Sequence, residues 1–115
     1  MTIRRIEPGQ RMSQAVVYAN TVYLAGQVGA AGASVADQTR AVLAQIDRLL
    51  GEAGSDKSRL LSATIWLADI GDFAEMNSVW ETWIDPANPP ARATGESKLA
   101  APGYKVEIIV TAACG

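Results

Sequence analysis

The chain has 115 residues, 49% of them hydrophobic, with 10 basic and 12 acidic side chains and a formal charge of −2. That length suits one compact α/β-sized domain over residues 1–115; the acidic balance offers no electrostatic footprint for nucleic acid, and no apolar run approaches the roughly 20 residues of a membrane helix. The lack of any histidine removes the Ser-His-Asp and Cys-His catalysts and the commonest metal ligand, leaving carboxylates, arginine, hydroxyls and backbone to carry any chemistry.

Met1-Thr2-Ile3-Arg4-Arg5-Ile6-Glu7 contains no long apolar run, so a cytoplasmic address is expected. Residues 3–6, 15–18 and 21–27 read as strands, with Ala19-Asn20 as a tight turn between the last two. Residues 29–33 break that pattern. Ser34 with Asp37 three residues on resembles a capping box, and Val35, Thr39, Val42, Leu43, Ile46, Leu49, Leu50 and Ala53 recur at helical spacing until Gly54 stops the run.

Residues 60–68 follow, where Thr64-Ile65-Trp66-Leu67 reads as a largely buried strand. Asp72 with Glu75 gives a second capping signal, and Phe73, Met76, Asn77, Trp80, Trp83 and Ile84 mark the inward face of a second helix ending before Pro86. Asn88-Pro89-Pro90 force an extended approach to a strand over 91–99. Ala101-Pro102-Gly103 then turns the chain into a last strand over 104–113. The lone Cys114 has no disulfide or CxxC partner and reads as a small residue at a frayed end.

The order β-β-β-α-β-α-β-β predicts an α+β fold, an open mixed six-stranded sheet with both helices on one face. The other face, rich in small and apolar residues, needs a partner, and a homo-oligomer with the sheets turned inward is expected.

Arg92 sits in an alternating apolar run, where it either snorkels to water, binds an anion or is paired structurally at an interface. Glu107 is either a working carboxylate or a solvated strand residue, and its neighbours in alternation, Lys105 and Ile109, do not decide between them. Asn77, on the inward helix face, reads equally as a satisfied buried amide holding a neighbouring loop. The three tryptophans read as core or interface residues.

Four segments carry a family resemblance in order and spacing: Leu24-Ala25-Gly26-Gln27-Val28; Ala68-Asp69-Ile70-Gly71-Asp72-Phe73 with Met76-Asn77; Pro90-Ala91-Arg92; and Lys105-Val106-Glu107-Ile108. Together they resemble the Rid, or YjgF, family of reactive-intermediate deaminases over nearly the whole chain, and the wording around Arg92 and Glu107 is most similar to its small YoaB-like branch. The resemblance implies a chorismate-mutase-like homotrimer with active sites between subunits. It implies hydrolysis of 2-imino and enamine acids to 2-keto acids and ammonia, with no metal or organic cofactor.

In that pattern Arg92 binds the substrate carboxylate and Glu107 orients the attacking water. Gly26 and Thr94 line the pocket through backbone groups, and Asn77 stands at a supporting polar position. The chain departs from better-known members at Met12, in place of a tyrosine, at Ala25, in place of a serine, and at Thr94, in place of a cysteine. Two other functions compete with the enzyme: a site that binds a 2-keto acid or other small carboxylate without chemistry, and a purely structural trimer. A simple hairpin of the last two strands would pair Arg92 near Thr111, about 14 Å from Glu107 at roughly 3.4 Å per residue. That distance leads to the expectation that the two residues serve one substrate from different subunits.

Overall fold

Local signals build most of the elements. The computed structural model describes residues 1–115, in the order β1 (Arg4–Pro8), β2 (Ser13–Tyr18), β3 (Thr21–Leu24), β4 (Gln27–Val28), α1 (Val35–Glu52), β5 (Leu60–Leu67), α2 (Phe73–Trp83), β6 (Ala91–Glu96) and β7 (Val106–Ala113). The strands form one mixed sheet in the order β1-β2-β3-β7-β5-β6, with β4 also paired to β7. Every pairing is antiparallel except β5 with β6. The two helices pack on one face of this open α+β sheet, and 23 buried residues form the core between them.

The first helix starts and stops where its residues require. Ser34 Oγ accepts from the Asp37 amide at 3.1 Å, while the Asp37 carboxylate turns outward to Arg40. At the other end Ser55 N donates to Leu50 O and Gly54 N to Gly51 O, the paired bonds of a Schellman motif, with Gly54 in the left-handed region at φ 77. A Cβ on Gly54 would meet nothing within 4 Å, so substitution there isolates the backbone cost. Gly54→Ala is expected to destabilise by about 1 kcal/mol, read as a lower urea midpoint at unchanged slope. An unchanged midpoint would contradict it.

The second helix starts differently from the sequence expectation. Asp72 makes no side-chain cap, because a 3-10 turn over Ile70–Asp72 runs straight into α2 and Phe73 N donates to Ile70 O. Asp69 caps that turn through the Gly71 amide, and Glu75 instead reaches across to accept from Ala36 N in the first turn of α1 at 2.9 Å. The inward face of α2 is Met76, Val79 and Trp80, with Trp83 and Ile84 packed against the core as expected; Phe73 is 38% exposed.

Four further expectations are corrected. The run over 21–27 divides into β3 and β4, giving seven strands, because the step from Tyr23 to Gln27 spans four residues while its partner on β7 steps three, from Thr111 to Ile108. This is a β-bulge. The strand β5 is buried on one side only, since Leu61 and Trp66 are exposed. The last two strands form no hairpin: β5 lies between them, parallel to β6 and antiparallel to β7. Cys114 is not frayed but 4% exposed, with its amide bonded to Asn20 O.

Buried polar groups tie the layers together. Gln38 Oε1 accepts from Lys105 N, and its Nε2 donates to Ala33 O and Gly103 O, so one fully used amide joins α1 to the loop before β7. No helix of the structure is long and apolar enough to cross a membrane.

Candidate active site

Arg92 lies on β6, one of the two edge strands. Its register partner Ala63 is buried toward the helices, so the arginine points to the helix side of the sheet. There Arg92 Nη1 donates to Asn77 Oδ1 at 2.8 Å, and its Cζ lies 5.4 Å from the Trp80 ring centre and 5.6 Å from that of Phe73. A neutral amide and two ring quadrupoles hold the guanidinium in place without neutralising its charge. The rest of its donor fork is left for a planar anion.

Thr94 shares that side, because its register partner Ile65 is likewise buried. Its Oγ1 is buried and has no hydrogen-bond partner. Such a hydroxyl is costly to leave unmade and is suited to a ligand.

Glu107 occupies the opposite face. Val106 and Ile108 on either side of it are buried toward the helices, so alternation turns the glutamate outward. It is paired with Val28 on one side and Trp66 on the other. Gly26 is its close neighbour: a Cβ built there would lie 2.8 Å from Glu107 Cδ and 3.1 Å from Cγ. The missing side chain at 26 is therefore the space that the carboxylate fills, a side-chain reason for a glycine whose sequence reading was backbone chemistry.

The bulge around Gly26 is braced from behind. Gln27 is 5% exposed, and its Nε2 donates to Gln14 Oε1 and Ala25 O, both at 3.0 Å. Ala25 N donates to Gln14 O at 2.9 Å. Continuing the β2–β3 register sets Ser13 beside Gly26 and brings Met12, 51% exposed, to the same end of the sheet.

The candidate residues thus fall into two groups. Arg92, Asn77 and Thr94 stand on the helix side of β6, and Glu107, Gly26, Ala25 and Met12 gather on or near the open face. Arg92 and Glu107 are two strand spacings and three register positions apart, about 14 Å, and they point away from each other. One chain does not bring them together. The open face, where Tyr23 is 49%, Leu61 50% and Trp66 36% exposed, is an apolar surface that a second copy could cover.

Sequence reading missed part of the site. Trp80 is core, as expected, and also stacks on Arg92; Phe73 leaves the core to do the same. Asn77 holds Arg92 rather than a loop. The spacing Phe73, Asn77, Trp80 and Glu81 on one helix face was the available signal. Neither cleft of the single chain, about 330 Å³ beside Ala68, Leu99 and Tyr104 and about 290 Å³ between the helices beside Asp47 and Trp83, contains Arg92 or Glu107. No group of three or more His, Cys, Asp or Glu is arranged to hold a metal ion.

The family model described as Endoribonuclease L-PSP matches residues 2–114. A RutC family protein of Haemophilus influenzae is 47% identical over 99% of this chain and 100% of its own length, and the RutC family protein YoaB of Escherichia coli is 45% identical over 98% of this chain and 99% of its own. A 2-iminobutanoate/2-iminopropanoate deaminase of Bos taurus is 36% identical over 90% of this chain and 80% of its own. The crystal structure of NMB1025 from Neisseria meningitidis, described as a member of the YjgF protein family, superposes with a TM-score of 0.97 at 47% identity, covering 100% of this chain and 97% of that one.

Proposed function

Given that the chain belongs to the Endoribonuclease L-PSP, or YjgF, family, we propose that it is a cytoplasmic imine deaminase that turns 2-imino acids into 2-keto acids and ammonia, working as a homotrimer with composite sites between subunits. The observation that carries this reading is the Arg92 guanidinium, held by Asn77 Oδ1 at 2.8 Å and by two aromatic rings yet left charged at the sheet edge. A 2-imino acid offers its carboxylate to that fork, which fixes the neighbouring C=N carbon in one orientation.

Glu107 from the adjoining subunit accepts a proton from water as the water oxygen bonds to the imine carbon, opening the C=N double bond to a single bond. The nitrogen takes up both protons of that water, the first returned by Glu107 and the second given up by the new hydroxyl, and leaves as ammonia as the C–N bond breaks and the C=O bond of the keto acid forms. Thr94, whose hydroxyl is buried and unpartnered, donates to the bound substrate. A deaminase relative at 36% identity supports the reaction class, and the charge balance of 12 acidic to 10 basic residues does not favour a polyanionic substrate such as RNA.

Ammonia release from freshly generated 2-iminopropanoate, above the buffer rate, tests the reading, together with light scattering. The expected particle has three times the 12.1 kDa mass of the chain. A folded monomer at micromolar concentration would overturn the composite site, and ammonia release at the buffer rate alone with saturable pyruvate binding would replace the enzyme by the binding-only alternative.

A further inference from the structure

We propose that Glu81 is a positioning residue for the carboxylate site: acting through Asn77, it fixes which way the amide faces and thereby holds the Arg92 fork in register. The inference rests on the deaminase reading above. Its basis is a relay of two hydrogen bonds on α2 and β6. Asn77 Nδ2 donates to Glu81 Oε1 at 2.9 Å, and Asn77 Oδ1 accepts from Arg92 Nη1 at 2.8 Å.

An asparagine amide has two ends of nearly the same shape and opposite chemistry. Rotated by half a turn, Asn77 would present N–H donors to a guanidinium that has only donors of its own, and the contact would become repulsive. Arg92 disfavours that flip from one end of the amide, and a contact that opposes it from the other end strengthens the preference. Glu81, four residues along the same helix and therefore stacked over Asn77, does so because an ionised carboxylate only accepts. It claims the Nδ2 end and leaves Oδ1 for the arginine.

The arrangement also keeps the acid one step removed from the base. If Glu81 paired directly with Arg92, the incoming carboxylate would have to displace it. Through the amide, Glu81 orders the guanidinium while the charge stays available to substrate.

Because Glu81→Ala loosens the fork without removing it, the carboxylate is bound more weakly but is still oriented once bound, and the loss should appear mainly in KM. Glu81→Ala is expected to raise KM for 2-iminopropanoate, and the Kd for pyruvate, about three- to tenfold with kcat within about twofold. Glu81→Gln, whose amide oxygen can still accept from Asn77 Nδ2, is expected to restore both constants. In an Asn77→Ala background Glu81→Ala should cost nothing further, since the two residues act in series.

Wild-type constants in Glu81→Ala, failure of the glutamine variant to rescue, or additive losses in the double variant would each overturn the proposal. Arg92→Ala separates it from the reading it rests on. An enzyme that depends on Arg92 but ignores Glu81→Ala overturns the relay alone, whereas one indifferent to Arg92→Ala overturns both.

Discussion

Arg92→Ala is expected to lower imine hydrolysis by a hundredfold or more while leaving a folded oligomer. The substrate's carboxylate is its one fixed charge, and in the proposed site a bidentate guanidinium contact would supply both binding and orientation. At 1.36 kcal/mol per tenfold, that loss is about 3 kcal/mol of transition-state stabilisation. Folding should survive because Arg92 is on an edge strand and is no part of the 23-residue core. Arg92→Lys should fail in large part as well: an ammonium keeps the charge but presents no planar fork to Asn77 and the substrate together. Ammonia release from 2-iminopropanoate and light scattering on the same samples decide the matter. Near-normal turnover would sink the catalytic reading, and dissociation without any other change would favour a purely structural arginine.

Gly26→Ala should be nearly as damaging to activity and almost silent in folding. The new methyl would lie 2.8 Å from Glu107 Cδ, too close for the carboxylate to remain, and the atoms in the way are the far end of a flexible side chain that can swing into solvent. Gly26 has no left-handed φ, so alanine there adds no backbone strain. Displacing a general base from the water it activates costs roughly a hundredfold or more, and the variant should resemble Glu107→Gln in kcat while matching the wild type in urea unfolding. A Gly26→Ala enzyme with full kcat would show that the carboxylate does not work from this position.

The parts of the fold that were legible in the sequence are those written in local chemistry. Ser34 and Gly54 bound the first helix because capping and left-handed termination act over a few residues, whereas the Asp37 carboxylate of the expected capping box pairs with Arg40 instead. The family resemblance, carried by four short segments, is matched by relatives at 45–47% identity. The strand neighbours were not legible. Residues 91–96 and 106–113 adjoin in sequence through one turn, yet β6 pairs with β5 across the α2 crossover, and only the whole sheet determines that choice.

At the site, the contact between Gly26 and Glu107 spans 81 positions of sequence, and nothing in either residue announces it. Phe73 misled for a related reason: its helical phase points inward, but it sits in the first turn of α2, where it covers a guanidinium rather than the core. Trp66 misled by composition, since an apolar run reads as buried on both sides when only alternate residues are.

The opposite facing of Arg92 and Glu107 reaches into genetics. If a working site is assembled only where two copies meet, a gene encodes two halves that never serve each other, and the harm done by a variant depends on which chains it assembles with. A chain lacking the arginine and a chain lacking the glutamate are each inert alone. Made together, every mixed trimer keeps one junction at which the surviving arginine faces the surviving glutamate, so two loss-of-function alleles of one gene would complement each other.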